Sequence, residues 1–81
     1  MDSLTVYTTG PSCQKCRMTK MMLKAKGVPF VEVDITQNDN ARQYVVEDLG
    51  YTVAPVVVVD DEDHWSDMRP DQIDRVAKLF G

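Results

Sequence analysis

A run of four valines at residues 56–59 constrains the fold of this chain more than any other segment. All four residues are β-branched, Pro55 precedes them, and an acidic cluster at residues 60–63 follows them. This composition predicts a central, buried strand that ends in a turn. Residues 64–66 come directly after the turn, and we predict that they return as a short antiparallel strand.

Two further segments, both before this hairpin, have strand patterns. Residues 4–7 are rich in β-formers and precede a loop at residues 8–12, which contains Gly10 and Pro11. Residues 30–35 alternate apolar and acidic side chains with a period of two. That alternation predicts a strand with one face at least partly exposed to water.

Three segments repeat apolar residues at the helical period. The first spans residues 13–26, and its apolar positions are Met18, Met21, Met22 and Ala25. The second spans residues 39–49, with Asn38 as its cap and Gly50 after its end. The third begins at Pro70, and its apolar positions are Ile73, Val76, Ala77 and Phe80. The order β-α-β-α-β-β-α predicts an α/β fold, with three helices and a four-stranded mixed sheet whose first two strands are parallel.

The size and charge of the chain argue against several classes of protein. Its 81 residues suffice for one domain, residues 1–81, and its formal net charge of −4 is unlike that of a general nucleic-acid binder, which needs a basic face. The longest apolar run, residues 54–59, is far shorter than the roughly twenty residues of a membrane helix. The N-terminus also lacks the pattern of a signal peptide. We therefore expect a monomeric, cytoplasmic domain that binds neither nucleic acid nor membranes.

Cys13 and Cys16 form a Cys-x-x-Cys pair at the start of the first predicted helix. Side chains three residues apart lie on one face of a helix, where they can form a disulfide without a backbone rearrangement. Unpaired N–H groups and the helix dipole favour the thiolate of Cys13, and Lys15 and Arg17 add positive charge nearby. We predict that Cys13 is the nucleophile in thiol–disulfide exchange and that Cys16 resolves the mixed disulfide.

A Cys-x-x-Cys pair can also be half of a zinc or iron–sulfur site, or a purely structural disulfide. Zinc usually has four ligands, and the only other soft ligand in the chain is His64. A closed site would therefore need carboxylates or a second subunit. The position of the pair, after a strand and before a helix, favours redox chemistry, and we predict no bound metal.

Pro55 belongs at the entrance of the valine strand or at a kink, because proline cannot donate a hydrogen bond within a central ladder. In the simplest interpretation its peptide bond is trans and it only begins the strand. If it instead faces the cysteines in the cis form, it leaves the backbone of Ala54 free to pair with an extended substrate segment. The residues alone leave both interpretations open.

Short motifs extend along nearly the whole chain: Tyr7-Thr8, Cys13-Gln14-Lys15-Cys16, Gly50-Tyr51, Ala54-Pro55-Val56-Val57, Trp65-Ser66 and Arg69-Pro70-Asp71. Together they resemble the NrdH-redoxin family. A Cys-x-x-Cys pair is common by itself, but its combination with the proline and with the C-terminal motifs is specific. The resemblance implies the thioredoxin fold.

The resemblance also implies a function, that of a glutaredoxin-like thiol–disulfide oxidoreductase that carries electrons. Thioredoxin reductase would reduce the protein with NADPH, no cofactor would be bound, and the electrons would go to the large subunit of a class Ib ribonucleotide reductase. Cys13 and Cys16 match the family's redox pair, and Pro55 matches its cis-proline beside the substrate. The family's C-terminal signature, a candidate for partner docking, matches Trp65, Ser66, Arg69 and Pro70.

A glutathione-dependent glutaredoxin is the nearest alternative function. Glutaredoxins usually carry a Thr-Val-Pro triplet, and this chain has Val53-Ala54-Pro55 in its place. This difference favours the NrdH-redoxin interpretation.

Two pairs of residues depart from the NrdH-redoxin pattern. Asp67-Met68 stands where the family usually has Gly-Phe, and we expect this change to loosen packing around Trp65 and Arg69. Gln14-Lys15 stands where the family usually has Val-Gln or Met-Gln. We expect the added charge to stabilise the thiolate of Cys13 and to shift partner preference.

Overall fold

The computed structural model describes residues 3–10 and 12–80. Its elements are β1 (Leu4–Thr8), α1 (Gln14–Ala25), β2 (Phe30–Asp34), α2 (Asp39–Gln43) with a following π-helical turn (Tyr44–Asp48), β3 (Val56–Val58), β4 (His64–Ser66) and α3 (Pro70–Phe80). The predicted order of strands and helices is confirmed. Pro11, part of the predicted first loop, lies outside the described residues.

The four strands form one mixed sheet in the order β2-β1-β3-β4. β1 and β2 are parallel, with Leu4 opposite Phe30, and α1 connects them. β3 is antiparallel to both β1 and β4, with Val57 opposite Val6 on one side and Trp65 on the other. The valine strand is therefore central, as predicted, because its backbone pairs on both edges.

The core lies between the sheet and the helices α1 and α3. Its buried members are Leu4, Val6, Leu23, Val28, Val57, Val59, Trp65, Ile73 and Val76. The apolar stripe predicted for α3 is confirmed, since Ile73 and Val76 are fully buried and Ala77 and Phe80 pack against the same cluster. Burial of this apolar stripe is what holds α3 to the domain.

Of the apolar positions predicted for α1, only Met22 packs against the core, and the rest of the predicted face is wrong. Met18 and Met21 are 43% and 67% exposed, whereas the buried residues of this helix are Cys16, Thr19 and Leu23. These three are spaced by three and four residues and therefore form a single stripe toward the sheet. The consequence for the site is that Cys16 belongs to the buried side of α1.

The second helix does not continue as a regular α-helix to residue 49. After α2, the chain widens into the π-helical turn, in which the N–H of Leu49 donates to the carbonyl of Tyr44 across 2.9 Å. Val45 is buried in this turn, and its carbonyl accepts a hydrogen bond from the N–H of Tyr51 across 3.0 Å. The turn thereby ties the end of this helix to the segment that leads into β3.

Within the described part of the chain, none of the helices has the length and apolar character of a membrane span.

Candidate redox site

The loop between β1 and α1 sets the position of Cys13. Gly10 has a φ of 101°, a backbone conformation that side-chain-bearing residues rarely adopt. The carbonyl of Gly10 accepts a hydrogen bond of 3.2 Å from the N–H of Cys13. This turn leads the chain from the end of the sheet directly into the first turn of α1.

Cys13 is the N-cap of α1, and its Sγ accepts a hydrogen bond of 3.2 Å from the N–H of Cys16. The two residues form a disulfide, with their Cα atoms 5.2 Å apart. Cys13 is half-buried, whereas Cys16 is only 1% exposed. A large substrate can therefore reach the first sulfur more readily than the second.

Lys15 and Arg17, the residues predicted to add positive charge, have different surroundings. The Nζ of Lys15 lies 2.9 Å from Oδ1 of Asp67, in the loop after β4. The pKa of Asp67 is lowered, chiefly by the hydrogen bond from Lys15 and then by the N–H of Met68. Arg17 is exposed on α1. The charge of Lys15 is thus compensated by a carboxylate, which sequence reasoning alone did not anticipate.

The Ala54–Pro55 peptide bond is cis, the isomer that the family resemblance implies. Pro55 is buried, and its carbonyl accepts a hydrogen bond of 2.9 Å from the N–H of Asp67. Because Asp67 also contacts Lys15, a chain of two polar contacts joins the proline loop to the cysteine turn. The structure therefore brings together Pro55 and the redox pair, which are far apart in the sequence.

The residues of the C-terminal signature lie in distinct environments. Trp65 is in the core with 4% of its surface exposed, so Asp67 has not opened the packing around it, and Ser66 is half-buried beside it in β4. Arg69 is exposed, and its Nη2 lies 2.9 Å from Oδ2 of Asp71. Pro70 is the first residue of α3. Of these four residues, Arg69 and Pro70 are the most accessible to a partner protein and Trp65 is the least accessible.

An apolar pocket beside Ala54 was not predicted. It is lined by Tyr7, Thr9, Ile35, Val45, Val46, Tyr51, Thr52, Val53, Ala54 and Val56. Burial, and secondly the neighbouring Tyr44, raises the pKa of Tyr7. The sequence did carry a weak signal for this pocket, because Val53 is an apolar residue in a loop directly before the cis-proline.

The structure also bears on the metal-site alternative. Across residues 3–10 and 12–80, no group of three or more His, Cys, Asp or Glu side chains is placed so that it could hold a metal ion. His64 lies in β4, where its Nδ1 is 2.7 Å from the hydroxyl of Tyr51.

A half-buried sulfur at a helix N-cap, with a second sulfur buried behind it, can alternate between dithiol and disulfide without rebuilding the fold. Proteins that carry electrons in this way form the class of thiol–disulfide redox proteins, and this chain is one of them. Comparisons with known proteins place it further within that class.

A family model described as glutaredoxin matches residues 4–65. The gene 56 protein of Mycobacterium phage L5 is 40% identical over 95% of this chain and 74% of its own length. The glutaredoxin-like protein NrdH of Lactococcus lactis is 31% identical over 91% of this chain and 99% of its own length. The solved structure of NrdH-redoxin from Escherichia coli, described as glutaredoxin-like with a thioredoxin-like activity profile, has a TM-score of 0.82 at 30% identity and covers 91% of this chain and 93% of its own. The chain belongs to the NrdH-redoxin family of glutaredoxin-like proteins and has the thioredoxin fold.

Proposed function

We propose that this redoxin takes electrons from NADPH through thioredoxin reductase and delivers them to the large subunit of a class Ib ribonucleotide reductase, in the cytoplasm. The observation that carries the proposal is the half-buried Cys13 at the N-cap of α1, in front of the buried Cys16 and beside the cis-Pro55 loop. The family membership supports the choice of partners.

The reaction is a pair of exchanges that moves two electrons. In the reduced protein, the thiolate of Cys13 attacks one sulfur of the partner's disulfide, that bond breaks, and the other partner sulfur leaves as a thiolate that takes up a proton. Cys16 then loses its proton and attacks the Sγ of Cys13. The mixed disulfide breaks, the second partner thiol is released, and the redoxin is left with the Cys13–Cys16 disulfide.

Two features of the site are suited to hold the partner's segment. The loop at Ala54 lies at the entrance of β3, where an extended chain can add backbone hydrogen bonds. The apolar pocket next to Ala54 can take an apolar side chain of the same segment, with Tyr7 and Val53 among its walls.

The experiment compares two complete reducing systems with the same oxidised protein. One contains NADPH, thioredoxin reductase and insulin as the disulfide substrate, and the other contains NADPH, glutathione reductase, glutathione and a glutathione mixed disulfide. We expect NADPH consumption only in the first system, and the purified large subunit of a class Ib ribonucleotide reductase should replace insulin as the oxidant. Turnover only with glutathione would overturn the proposal.

The glutathione-dependent function is the second candidate, and the match of the glutaredoxin family model over residues 4–65 is the observation that favours it. A cysteine pair shared between two chains around zinc or an iron–sulfur cluster is a different class of function. Elemental analysis of anaerobically purified protein tests it, because stoichiometric metal that blocks thiol titration would contradict both redox functions.

A further inference from the structure

The ion pair between Lys15 and Asp67 joins the two sides of the redox site. Lys15 lies between the two cysteines in the first turn of α1, and Asp67 follows β4 next to the cis-proline loop. The Nζ and Oδ1 atoms are 2.9 Å apart, and both side chains are substantially exposed. A disulfide segment that approaches Cys13 and Ala54 therefore passes close to both charges.

The carboxylate of Asp67 is held in place from its own side. The N–H of Asp67 donates to Pro55, and its Oδ1 accepts a hydrogen bond of 2.7 Å from the N–H of Met68. Asp67 also has a φ of 71°, a left-handed conformation that is uncommon for residues other than glycine, although aspartate tolerates it better than most. Its carboxylate is thus fixed, and the longer Lys15 side chain reaches toward it.

Asp67 also supplies the negative charge that the helix itself lacks. A cation in the first turn of a helix is unfavourable next to the positive end of the dipole, and α1 has no acidic residue in its first turn. Asp67, in the loop after β4, compensates the positive charge of Lys15 in α1. The pair is nevertheless weak, because both of its side chains are exposed to solvent, so that a charged partner can open it.

We propose that Asp67 is a specificity-determining residue of this redoxin. Asp67 neutralises the charge of Lys15 and thereby determines which charged side chains a substrate segment can carry next to the cysteine that reacts with Cys13. With Asp67 present, an acidic side chain on the segment must compete with a carboxylate for Lys15, while a basic side chain finds a carboxylate to pair with. Asp67 therefore favours segments with basic residues and disfavours acidic ones. This inference rests on the proposed reduction of protein disulfides.

The test uses the full chain, reduced with dithiothreitol and freed of it, so that it depends on no partner reductase. The substrates are two peptides with the same internal disulfide, one with a glutamate and one with a lysine next to the peptide cysteine that Cys13 attacks. Stopped-flow measurements give the second-order rate constant for the reduction of each peptide. The ratio of the acidic to the basic rate constant is the readout. A change in thiol reactivity or in folding alters both rate constants alike and leaves their ratio unchanged.

We expect Asp67→Asn to raise this ratio and Lys15→Gln to lower it, and the double variant should return to the wild-type value because the net charge at positions 15 and 67 is again zero. In each single variant, the rate constant for each peptide should change by about threefold at low ionic strength. This is the effect expected for the loss of one charge about 7 Å from the charged side chain of the peptide in water. The effect should fade as salt is added. If Asp67→Asn folds poorly, Asp67→Gly is suited to the same φ and removes the same charge.

The matched control is Asp74→Asn. Asp74 also pairs with a lysine of the α1 region, since its Oδ1 lies 2.7 Å from the Nζ of Lys26, but this pair is at the other end of the helix. The control should leave the ratio unchanged. An unchanged ratio in Asp67→Asn, or an equal change in Asp74→Asn, would overturn the inference, whereas failure of both peptides to react would instead count against the proposed function.

Discussion

The backbone N–H of Cys16 points at the Sγ of Cys13 across 3.2 Å. Cys13 therefore occupies the N-cap, the position at which an acceptor satisfies an otherwise unpaired helix N–H. When the disulfide is reduced, this same N–H group and the helix dipole favour a negative charge on that sulfur. The relationship gives the two cysteines unequal chemical roles despite their closeness in sequence.

The unequal roles predict the outcome of two single substitutions. Cys16→Ser should accumulate a covalent complex between Cys13 and a disulfide substrate, because the buried thiol that would release it is gone. Cys13→Ser should form no such complex, because Cys16 is only 1% exposed. Non-reducing electrophoresis and mass spectrometry of the mixtures provide the measurement. A complex formed by Cys13→Ser and not by Cys16→Ser would reverse the assignment.

The position of Cys13 could be predicted from the sequence because it depends on local signals. A strand, a glycine-containing turn and a helix start within about ten residues leave little choice for where the cysteine pair lies. The contact between Lys15 and Asp67 could not be predicted in the same way. It depends on how α1 and the loop after β4 meet in three dimensions, and no periodic pattern records that.

The face of α1 was predicted wrongly for a related reason. Met18 and Met21 follow the helical period of apolar residues, but the structure exposes both of them and buries Thr19 instead. A flexible methionine is tolerated at a surface, whereas threonine is mostly found exposed, so the burial of Thr19 departs from the usual preference. Period alone therefore located the helix but not its rotation about its axis.

The rotation of α1 can be tested by stability measurements. Leu23 is fully buried in the core, so Leu23→Ala should lower the free energy of unfolding by about 2–5 kcal/mol. Met21→Ala, on the exposed side, should change it by no more than about 0.5 kcal/mol. Urea unfolding followed by far-ultraviolet circular dichroism gives both values. Similar losses in the two variants would indicate that the helix buries a different face.

Arg75 forms a second link that the sequence did not indicate, between α3 and the turn after β3. Its Nη1 and Nη2 donate to Asp63 across 3.0 and 2.6 Å, and its guanidinium carbon lies 5.9 Å from the centroid of the Trp65 ring. Hydrogen bonding to Asp63 raises the pKa of Arg75. The guanidinium is charged over the whole working range of pH, as for any arginine, and Asp63 favours that charge further.

We predict that Arg75→Gln lowers the free energy of unfolding by about 0.5–1 kcal/mol, a modest amount because the pair is partly exposed. It should also change the fluorescence of Trp65, the only tryptophan in the chain. Arg42→Gln, at an exposed position of α2, removes the same charge and is the control. Equal effects of the two substitutions on stability and fluorescence would contradict the bidentate link.

The lowered pKa of Asp67 predicts how its contribution to stability depends on pH. A carboxyl group whose pKa is lower in the folded state stabilises the fold above its unfolded value, here 3.8, and this contribution is lost as the pH falls through the lower folded value. Wild type should therefore be more stable than Asp67→Asn at neutral pH. The difference between their urea midpoints should close below pH 3.8. If the difference between the urea midpoints stayed constant at the lowest pH measured, the substitution would act through the backbone conformation and not through the lost charge.

The apolar pocket beside the cis-proline loop predicts a separation between large and small reductants. Val53 lines this pocket and is 43% exposed, so Val53→Glu places a charge where an apolar side chain of a partner would dock. The kcat/KM with a thioredoxin reductase should fall by about tenfold, equivalent to a loss of about 1.4 kcal/mol. The rate of reduction by dithiothreitol should not change, because a small dithiol needs to reach only the Cys13–Cys16 disulfide.

Val31→Glu, at an exposed position of β2 outside this pocket, is the control for the added charge. If both substitutions slow the reductase equally, overall charge and not the pocket determines docking.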